Sequence, residues 1–157
     1  MTATIRIRAY QPDDLDSLIN LFTDTVRRVA GRDYTEAQTA AWAPTAVSRA
    51  KWSQRLAGRP TFVAEIGPAI VGFSDLEPDG HIDMMFVHAD HQGQGVASRL
   101  MDHIEGMAAE FGLAALFTES SITARPFFER RGFHVVESQD VEVRGQILRN
   151  YRMRRTL

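Results

Sequence analysis

The feature that most constrains this chain is a glycine-containing loop between an apolar run and an amphipathic helix. Residues 82–87 are apolar except at Asp83, which is typical of a strand, and the polar residues 88–95 follow. Helical spacing then recurs in the apolar residues Leu100, Ile104, Met107, Ala108 and Phe111. The first N–H groups of a helix lack partners and carry partial positive charge, and glycines let the backbone approach a ligand. The stretch therefore predicts a phosphate or pyrophosphate site.

Three phosphate-binding patterns compete for this loop. The P-loop is excluded because it requires a lysine after its last glycine, and no lysine lies nearby. The dinucleotide fingerprint fits loosely at Gly93, Gly95 and Ser98, and Glu119 lies about where its ribose-binding acid would be. That fingerprint normally opens a domain of several βα units, and too little chain follows Ser98 to build one. The pattern Gln/Arg-x-x-Gly-x-Gly/Ala is met in full by Gln92, Gly95 and Ala97. In this respect the loop resembles the pyrophosphate loop of the GCN5-related N-acetyltransferase (GNAT) family.

Length and composition restrict the class of protein. A chain of 157 residues suits a single domain over residues 1–157, and a net charge of −2 predicts no general attraction to nucleic acid. The absence of cysteine excludes disulfides, thiolate zinc sites and a cysteine acyl-enzyme. No apolar run reaches the roughly 18 residues of a membrane span, and the first residues lack the apolar core of a signal peptide. We therefore expect a cytoplasmic protein that does not bind membranes.

The remaining periodicity predicts an α/β (α+β) architecture. Residues 5–10 and 12–30 read as a strand and a helix, and residues 35–38 and 48–56 read as short helices. The rest is predicted as three antiparallel strands at 61–66, 69–76 and 81–87, a helix at 96–111, a strand buried on both faces at 113–118, a helix at 123–131 and a closing hairpin of 133–143 with 146–155.

A second block, residues 121–133, strengthens the resemblance. It is similar to the family pattern Asn-x-x-Ala-x-x-(aromatic)-Tyr-Glu-x-x-Gly-Phe, which is matched at Ala124, Phe127, Glu129, Gly132 and Phe133. Ser121 stands where asparagine is common, and Phe128 stands where tyrosine is common. Two motifs in the expected order imply the GNAT fold along the whole chain. That fold has a mixed sheet of about seven strands, splayed between the fourth and fifth, with about four helices.

The resemblance implies acetyl-CoA as the acyl donor. Its pyrophosphate would lie on the backbone of Gly93, Gln94, Gly95, Val96, Ala97 and Ser98, with Gln92 shaping the loop. Its pantetheine arm would pair with Phe86 and Val87 as an added strand does. The residues expected around the thiol are Ser121, Ala124, Arg125 and Phe128, although Arg125 can equally be read as a solvated helix residue.

The implied reaction is direct attack of an amine on the thioester. The amine must lose a proton, and the Val87 N–H is expected to stabilise the charge that develops on the carbonyl oxygen. Phe128 cannot donate the proton that the usual tyrosine gives to the thiolate. The candidates for proton transfer are Asp83, Glu119, His81 and Tyr151.

Asp83 and Tyr151 are the favoured candidates for proton transfer. Asp83 is an acid inside an apolar strand, which is costly unless the group is paired or functional. Tyr151 alternates with Met153 on the last strand, so a role in the core is the alternative. Trp42 and Trp52 either pack the irregular segment 33–56 onto the sheet or line an acceptor pocket.

Other charged groups are read as ordinary solvated surface. His88, Asp90 and His91 lie in the loop itself, so no metal site is predicted, and the arginines near the C-terminus alternate along a strand.

The leading hypothesis is an acetyl-CoA-dependent N-acetyltransferase, monomeric or homodimeric, acting on a primary amine of a small molecule or peptide. Two alternatives stay open, namely a non-catalytic acyl-CoA-binding or sensing module, suggested by Phe128, and a dinucleotide-binding oxidoreductase fragment.

Overall fold

The computed structural model describes residues 4–157, which form two four-stranded sheets and five α-helices. The helices are α1 (Leu15–Arg28), α2 (Glu36–Trp42), α3 (Arg49–Ala57), α4 (Val96–Glu110) and α5 (Arg125–Arg130). The strands are β1 (Ile5–Ala9), β2 (Thr61–Ile66), β3 (Ala69–Asp75), β4 (His81–Ile82), β5 (Met85–Val87), β6 (Ala115–Ser121), β7 (His134–Val143) and β8 (Gln146–Thr156). The predicted α/β class and order of elements are confirmed.

The two sheets meet where one predicted strand is broken. The first sheet has the order β1-β2-β3-β5 and is antiparallel, and the second has the order β4-β6-β8-β7, with β4 parallel to β6. The single strand predicted over residues 81–87 is therefore wrong in detail, because the chain changes sheet at residues 83–84. Beyond that point β5 follows β3 and diverges from β6. This divergence is the predicted splay of the sheet.

The break is held by a buried carboxylate. Asp75, at the end of β3, has no solvent exposure. Its Oδ1 accepts hydrogen bonds from the backbone N–H groups of Asp83 and Met84, both at 2.9 Å. Burial raises the pKa of Asp75, while these two donors and Arg59, at 3.2 Å from Oδ2, act in the opposite direction. The carboxylate thus replaces sheet hydrogen bonds that the chain loses as it changes sheet.

Two hydroxyl groups satisfy carbonyls at the same break. The Ser74 hydroxyl donates to the carbonyl oxygen of Met84, and the Thr118 hydroxyl donates to that of Ile82 at 2.7 Å. Ser74 and Thr118 are both buried, so an unpaired carbonyl beside them would be costly. Side chains from β3 and β6 therefore fix the path of the chain between β4 and β5.

The first sheet is covered on both faces. Alternation along β2 sends Phe62 and Ala64 to a core that includes Leu100 and Ile104 of α4, while Val63 enters the core beneath α1 and α3. Among residues 4–157, no helix has the length and apolar composition that a bilayer crossing requires.

Strand β6 differs from the prediction that it is buried on both faces. It alternates, with Leu116, Thr118 and Ser120 buried and Glu119 exposed. The reason is that its second face borders a cavity instead of a layer of helices.

The neighbouring hairpin is closed by Arg144 and Gly145, whose φ angles are 45° and 83°, as a tight primed turn between strands requires.

We expect Asp75→Ala to lower the free energy of unfolding by about 2–4 kcal/mol, because two buried N–H groups would lose their acceptor. Urea unfolding measures the change. Asp13→Ala is the control, since Asp13 is exposed in the turn before α1 and should change stability by less than about 0.5 kcal/mol. Equal effects of the two substitutions would contradict the role given to Asp75.

Candidate functional site

Two cavities meet at the splay between β5 and β6. The loop cavity, of about 430 Å³, lies between α1, the 88–95 loop, the start of α4 and the segment 121–130. The hairpin cavity, of about 570 Å³, lies between α2, α3, β6 and the β7–β8 hairpin. The residues that line both are Trp42, Met85, Phe86, Ser121 and Ala124. A ligand bound in one cavity can therefore reach a ligand bound in the other.

The loop cavity includes the beginning of α4. Gly95 caps this helix with a φ of 84°, and Gly93 has a φ of 72°, a region that favours glycine. A Cβ atom at either position would meet nothing within 4 Å, so the space beside both glycines is open. The loop is tied to α1 by Arg28, whose Nη2 lies 2.6 Å from Oδ1 of Asp90. Free N–H groups and helix polarity make this end of the cavity suitable for an anion.

The backbone of Val87 has a defined orientation. The His88 N–H donates to the Val71 oxygen at 2.7 Å, so the adjacent pair of Gly72 with Val87 is not hydrogen-bonded in the ladder. Val87 therefore turns its N–H and C=O away from β3 and towards the loop cavity.

The Val87 carbonyl is already occupied by two donors. It accepts the Thr25 hydroxyl at 3.0 Å and the Gln92 amide at 2.8 Å. These contacts join α1, β5 and the loop at one atom. They leave the N–H as the group of Val87 available to a ligand.

The hairpin cavity contains two carboxylates in different surroundings. Asp83 Oδ2 lies 2.6 Å from nitrogens of both Arg55 and Arg59. Glu119 instead contacts Nε2 of His81 at 2.9 Å, and the other ring nitrogen of His81 lies 3.0 Å from Glu77. Burial by itself lowers the pKa of His81, but the hydrogen bonds with Glu77 and Glu119 outweigh it and raise the pKa above 6.5. Glu119 is thus linked through an imidazole to a second carboxylate.

Comparison with known proteins decides the family. A model of the acetyltransferase (GNAT) domain matches residues 30–155. The chain belongs to the GNAT family. It is 39% identical over 151 residues to the uncharacterized N-acetyltransferase YafP of Escherichia coli K12, covering 96% of this chain and 95% of YafP.

Solved structures of GNAT proteins have the same fold. A GCN5-related N-acetyltransferase from Rhodopseudomonas palustris superposes with a TM-score of 0.94 and 34% identity, covering 100% of this chain and 98% of that one. The putative acetyltransferase YncA of Salmonella typhimurium, solved with acetyl-CoA, gives a TM-score of 0.71 at 19% identity, covering 98% and 94%. The first match supports the family assignment, and the second shows the fold.

Most of the residues proposed from the GNAT motifs come together in the loop cavity. Gln94 is an exception, because its Oε1 contacts Nδ1 of His91 at 3.1 Å and the residue does not line the cavity. Those that line it are Phe86, Val87, Gln92, Gly93, Gly95, Val96, Ala97, Ser98, Ser121 and Ala124.

Arg125 and Tyr151 lie together outside these two cavities. The Arg125 guanidinium lies over the Tyr151 ring at 4.5 Å, and its Nε lies 3.2 Å from Glu129. Side chains alternate along β8, so Tyr151 points to the opposite face from Asn150 and packs against the core that contains Met153. The tertiary structure therefore does not bring Tyr151 to Asp83.

Phe128 lines the hairpin cavity but belongs mainly to the core. It is 3% exposed and packs edge-on against Phe127 and Phe133, with ring centroids at 5.4 and 5.2 Å. The two tryptophans combine core packing with a place on a cavity wall. Trp52 packs in the core beneath α1 and α3, Trp42 packs against it, and both line the hairpin cavity.

Sequence reasoning missed three residues of the two cavities. Thr25 had a visible signal, because it interrupts the apolar face of α1 and is nevertheless buried. Tyr34 and Asn150 had none. The Tyr34 hydroxyl donates to the Arg149 carbonyl and accepts the Ile122 N–H at 3.0 Å, so it joins residues far apart in sequence. Burial is the main cause that raises the pKa of Tyr34.

The raised pKa of His81 predicts how stability depends on pH. Protonated His81 between two carboxylates stabilises the folded state fully below pH 6.5, and this contribution is lost as pH rises through the raised value. His81→Gln should therefore lose stability relative to wild type on the acidic side and approach it on the alkaline side, measured by urea unfolding over a pH series. The comparison variant is His103→Gln, because burial lowers the pKa of His103 and places its effect below 6.5. A pH-independent difference for His81→Gln would contradict the prediction.

Proposed function

We propose that this protein is an acetyl-CoA-dependent N-acetyltransferase that acetylates a primary amine of a small molecule or peptide. The observation that carries the proposal is the meeting of the two cavities at Phe86, Ser121 and Ala124. One cavity offers a helix N-terminus and glycine backbone, which suit a pyrophosphate. The other offers carboxylates, which suit an amine and its proton. Acetyl-CoA supplies the acetyl group as a thioester, and the acceptor amine attacks it directly.

The residues of the loop cavity fit the cofactor. The open space at Gly93 and Gly95 leaves room for a pyrophosphate against the backbone of residues 93–98. Val87 has its carbonyl occupied by Thr25 and Gln92, so its N–H is free to stabilise charge on a carbonyl oxygen. The YncA structure was determined with acetyl-CoA, which supports the same ligand for this chain.

The contacts in the hairpin cavity support Glu119 over Asp83 as the group that accepts the proton of the amine. Asp83 Oδ2 is held by Arg55 and Arg59, so a lone pair there is already used in ion pairs. Both oxygens of Glu119 are also paired, with Nε2 of His81, but an imidazole can release its proton whereas the two arginines stay charged. Asp83 then holds the two arginines in place on the acceptor side. The acid that protonates the departing thiolate is water, because Phe128 has no hydroxyl and Tyr151 lines neither cavity.

The proposed function is tested by mixing the protein with acetyl-CoA and a panel of primary amines and following free thiol. We expect amine-dependent thiol release from the wild type and none from Gly95→Asp. The substitution places a side chain at a φ of 84° and a negative charge beside the pyrophosphate, so acetyl-CoA binding should be lost. Gly31→Asp is the matched control, since a Cβ atom there also meets nothing within 4 Å and the residue lies outside the loop.

Calorimetry with acetyl-CoA separates the remaining outcomes. Unchanged affinity in a folded Gly95→Asp protein would remove the pyrophosphate assignment. Tight binding of acetyl-CoA without thiol release, for every amine tried, would favour the non-catalytic sensing module. Binding of NAD in preference to acetyl-CoA would favour the dinucleotide alternative.

The two carboxylates are compared through Glu119→Gln and Asp83→Asn. Glu119→Gln should reduce kcat by roughly 10²–10⁴-fold, the usual value of a general base, without changing the affinity for acetyl-CoA. Asp83→Asn should reduce kcat less and should mainly raise KM for the amine, because Arg55 and Arg59 lose their shared partner. Steady-state kinetics with the best amine of the panel measures both. A larger loss of kcat for Asp83→Asn than for Glu119→Gln would identify Asp83 as the base.

A further inference from the structure

Asn150 lines the hairpin cavity, and the reaction described above does not use it. It lies on β8 directly opposite Ser121 of β6, and on its other side it pairs with Gln139 of β7. Paired residues of antiparallel strands project their side chains from the same face, about 4.5–5.5 Å apart at Cβ. The Asn150 amide is therefore the neighbour of Ser121, which lines both cavities.

The side-chain oxygen of Asn150 lacks a hydrogen-bond partner. Its Oδ1 is the one buried side-chain oxygen or nitrogen within residues 4–157 for which no partner is found. Leaving such a group unpaired costs about 1–3 kcal/mol, and native proteins keep few of them. Because Oδ1 is buried, the amide presents its acceptor oxygen to the cavity that Asn150 lines after a rotation that exchanges Oδ1 and Nδ2.

The surroundings of Asn150 define what it can bind. Glu119 lies diagonally across from it, because Glu119 pairs with Arg152 in the β6–β8 ladder, and diagonal neighbours are about 7–8 Å apart. Arg152 is engaged by Glu137 at 2.7 Å, and the group that contacts Glu119 is His81, at 2.9 Å. A nitrogen between Asn150 and Glu119 would have an acceptor on each side.

One part of the hairpin cavity wall is aromatic. Tyr34 packs against Trp42 with ring centroids at 5.7 Å, Trp42 against Phe86 at 6.3 Å, and Phe86 against Phe22 at 5.0 Å. All four residues line the cavity. Such a surface favours a flat, apolar body, and aromatic pairs gain from edge-on or offset contact.

We propose that Asn150 binds the nitrogen of the acceptor and that the acceptor is a primary amine with a flat, apolar body. This inference rests on the proposed acetyltransferase function and names the acceptor side of the same site. A neutral primary amine carries two N–H groups and one lone pair. One N–H donates to Asn150 Oδ1, the other gives its proton to Glu119 as the new C–N bond forms, and the lone pair points towards the meeting point of the cavities.

The test uses phenethylamine as the probe and acetyl-CoA as the donor. Asn150→Leu, which has nearly the same shape without polar atoms, should raise KM for phenethylamine at least 10-fold while the affinity for acetyl-CoA is unchanged. Its melting temperature should equal or exceed that of the wild type, because an unpaired buried oxygen is removed. A purely structural asparagine would instead give a lower melting temperature and an unchanged KM, which would overturn the proposal.

Two further variants control this experiment. Asn150→Asp keeps an acceptor oxygen and should bind phenethylamine much better than Asn150→Leu does. Gln139→Leu makes the corresponding change on the neighbouring strand, at the residue that pairs with Asn150 and does not line the cavity. It should leave KM unchanged. An equal rise in KM for Gln139→Leu and Asn150→Leu would overturn the proposal.

Amine binding is also measured without turnover, which separates this inference from the proposed function. Phenethylamine is titrated into 15N-labelled protein with coenzyme A, and the side-chain NH₂ signals of Asn150 are identified by their absence in Asn150→Leu. A saturable shift of these signals supports the proposal even if no thiol is released. No shift at any soluble concentration of the amine overturns it.

Discussion

The site depends on the carboxylate of Asp75 and on the strand break that it holds. Between β4 and β5 the chain leaves one sheet and joins another, and the backbone groups at that point lose their ladder partners. Asp75 accepts two of the freed N–H groups, while Ser74 and Thr118 donate to two carbonyls. Because these substitutes come from β3 and β6, they also set the distance at which the two sheets diverge. Without that divergence β5 and β6 would pair, and no cavity would lie between them.

A second constraint joins the ends of the loop cavity. The carbonyl of Val87 accepts hydrogen bonds from Thr25 on α1 and from Gln92 in the loop. The same loop is fixed to α1 by the ion pair between Arg28 and Asp90. These contacts leave the N–H group of Val87 free beside the backbone of the loop. The helix, the strand and the loop are therefore held together as one structural unit.

The hairpin cavity is built differently, from segments distant in sequence. Its aromatic wall comes from α1, α2 and β5, and its polar side comes from β6 and β8. Tyr34 connects these parts, since its hydroxyl bonds to backbone groups of Arg149 and Ile122. The segment that holds α2 and α3 is the least regular in the sequence, and it supplies much of this cavity. Differences in that segment would change the lining of the hairpin cavity more than that of the loop cavity, because Trp42 is the one residue of the segment that lines both.

The sequence by itself determined the order of elements, the GNAT motifs and most of the loop cavity. These features depend on local periodicity and on short spacings, which a chain carries in its own residues. It could not reveal the strand break at residues 83–84, because that break depends on Asp75 and Thr118, which approach it only in the fold. Tertiary structure also decided that Asp83 is held by two arginines, that Tyr151 lies beneath Arg125 and lines neither cavity, and that Asn150 lines one. A pleated strand sends neighbouring residues to opposite faces, so Tyr151 and Asn150, adjacent in sequence, are separated by the sheet itself.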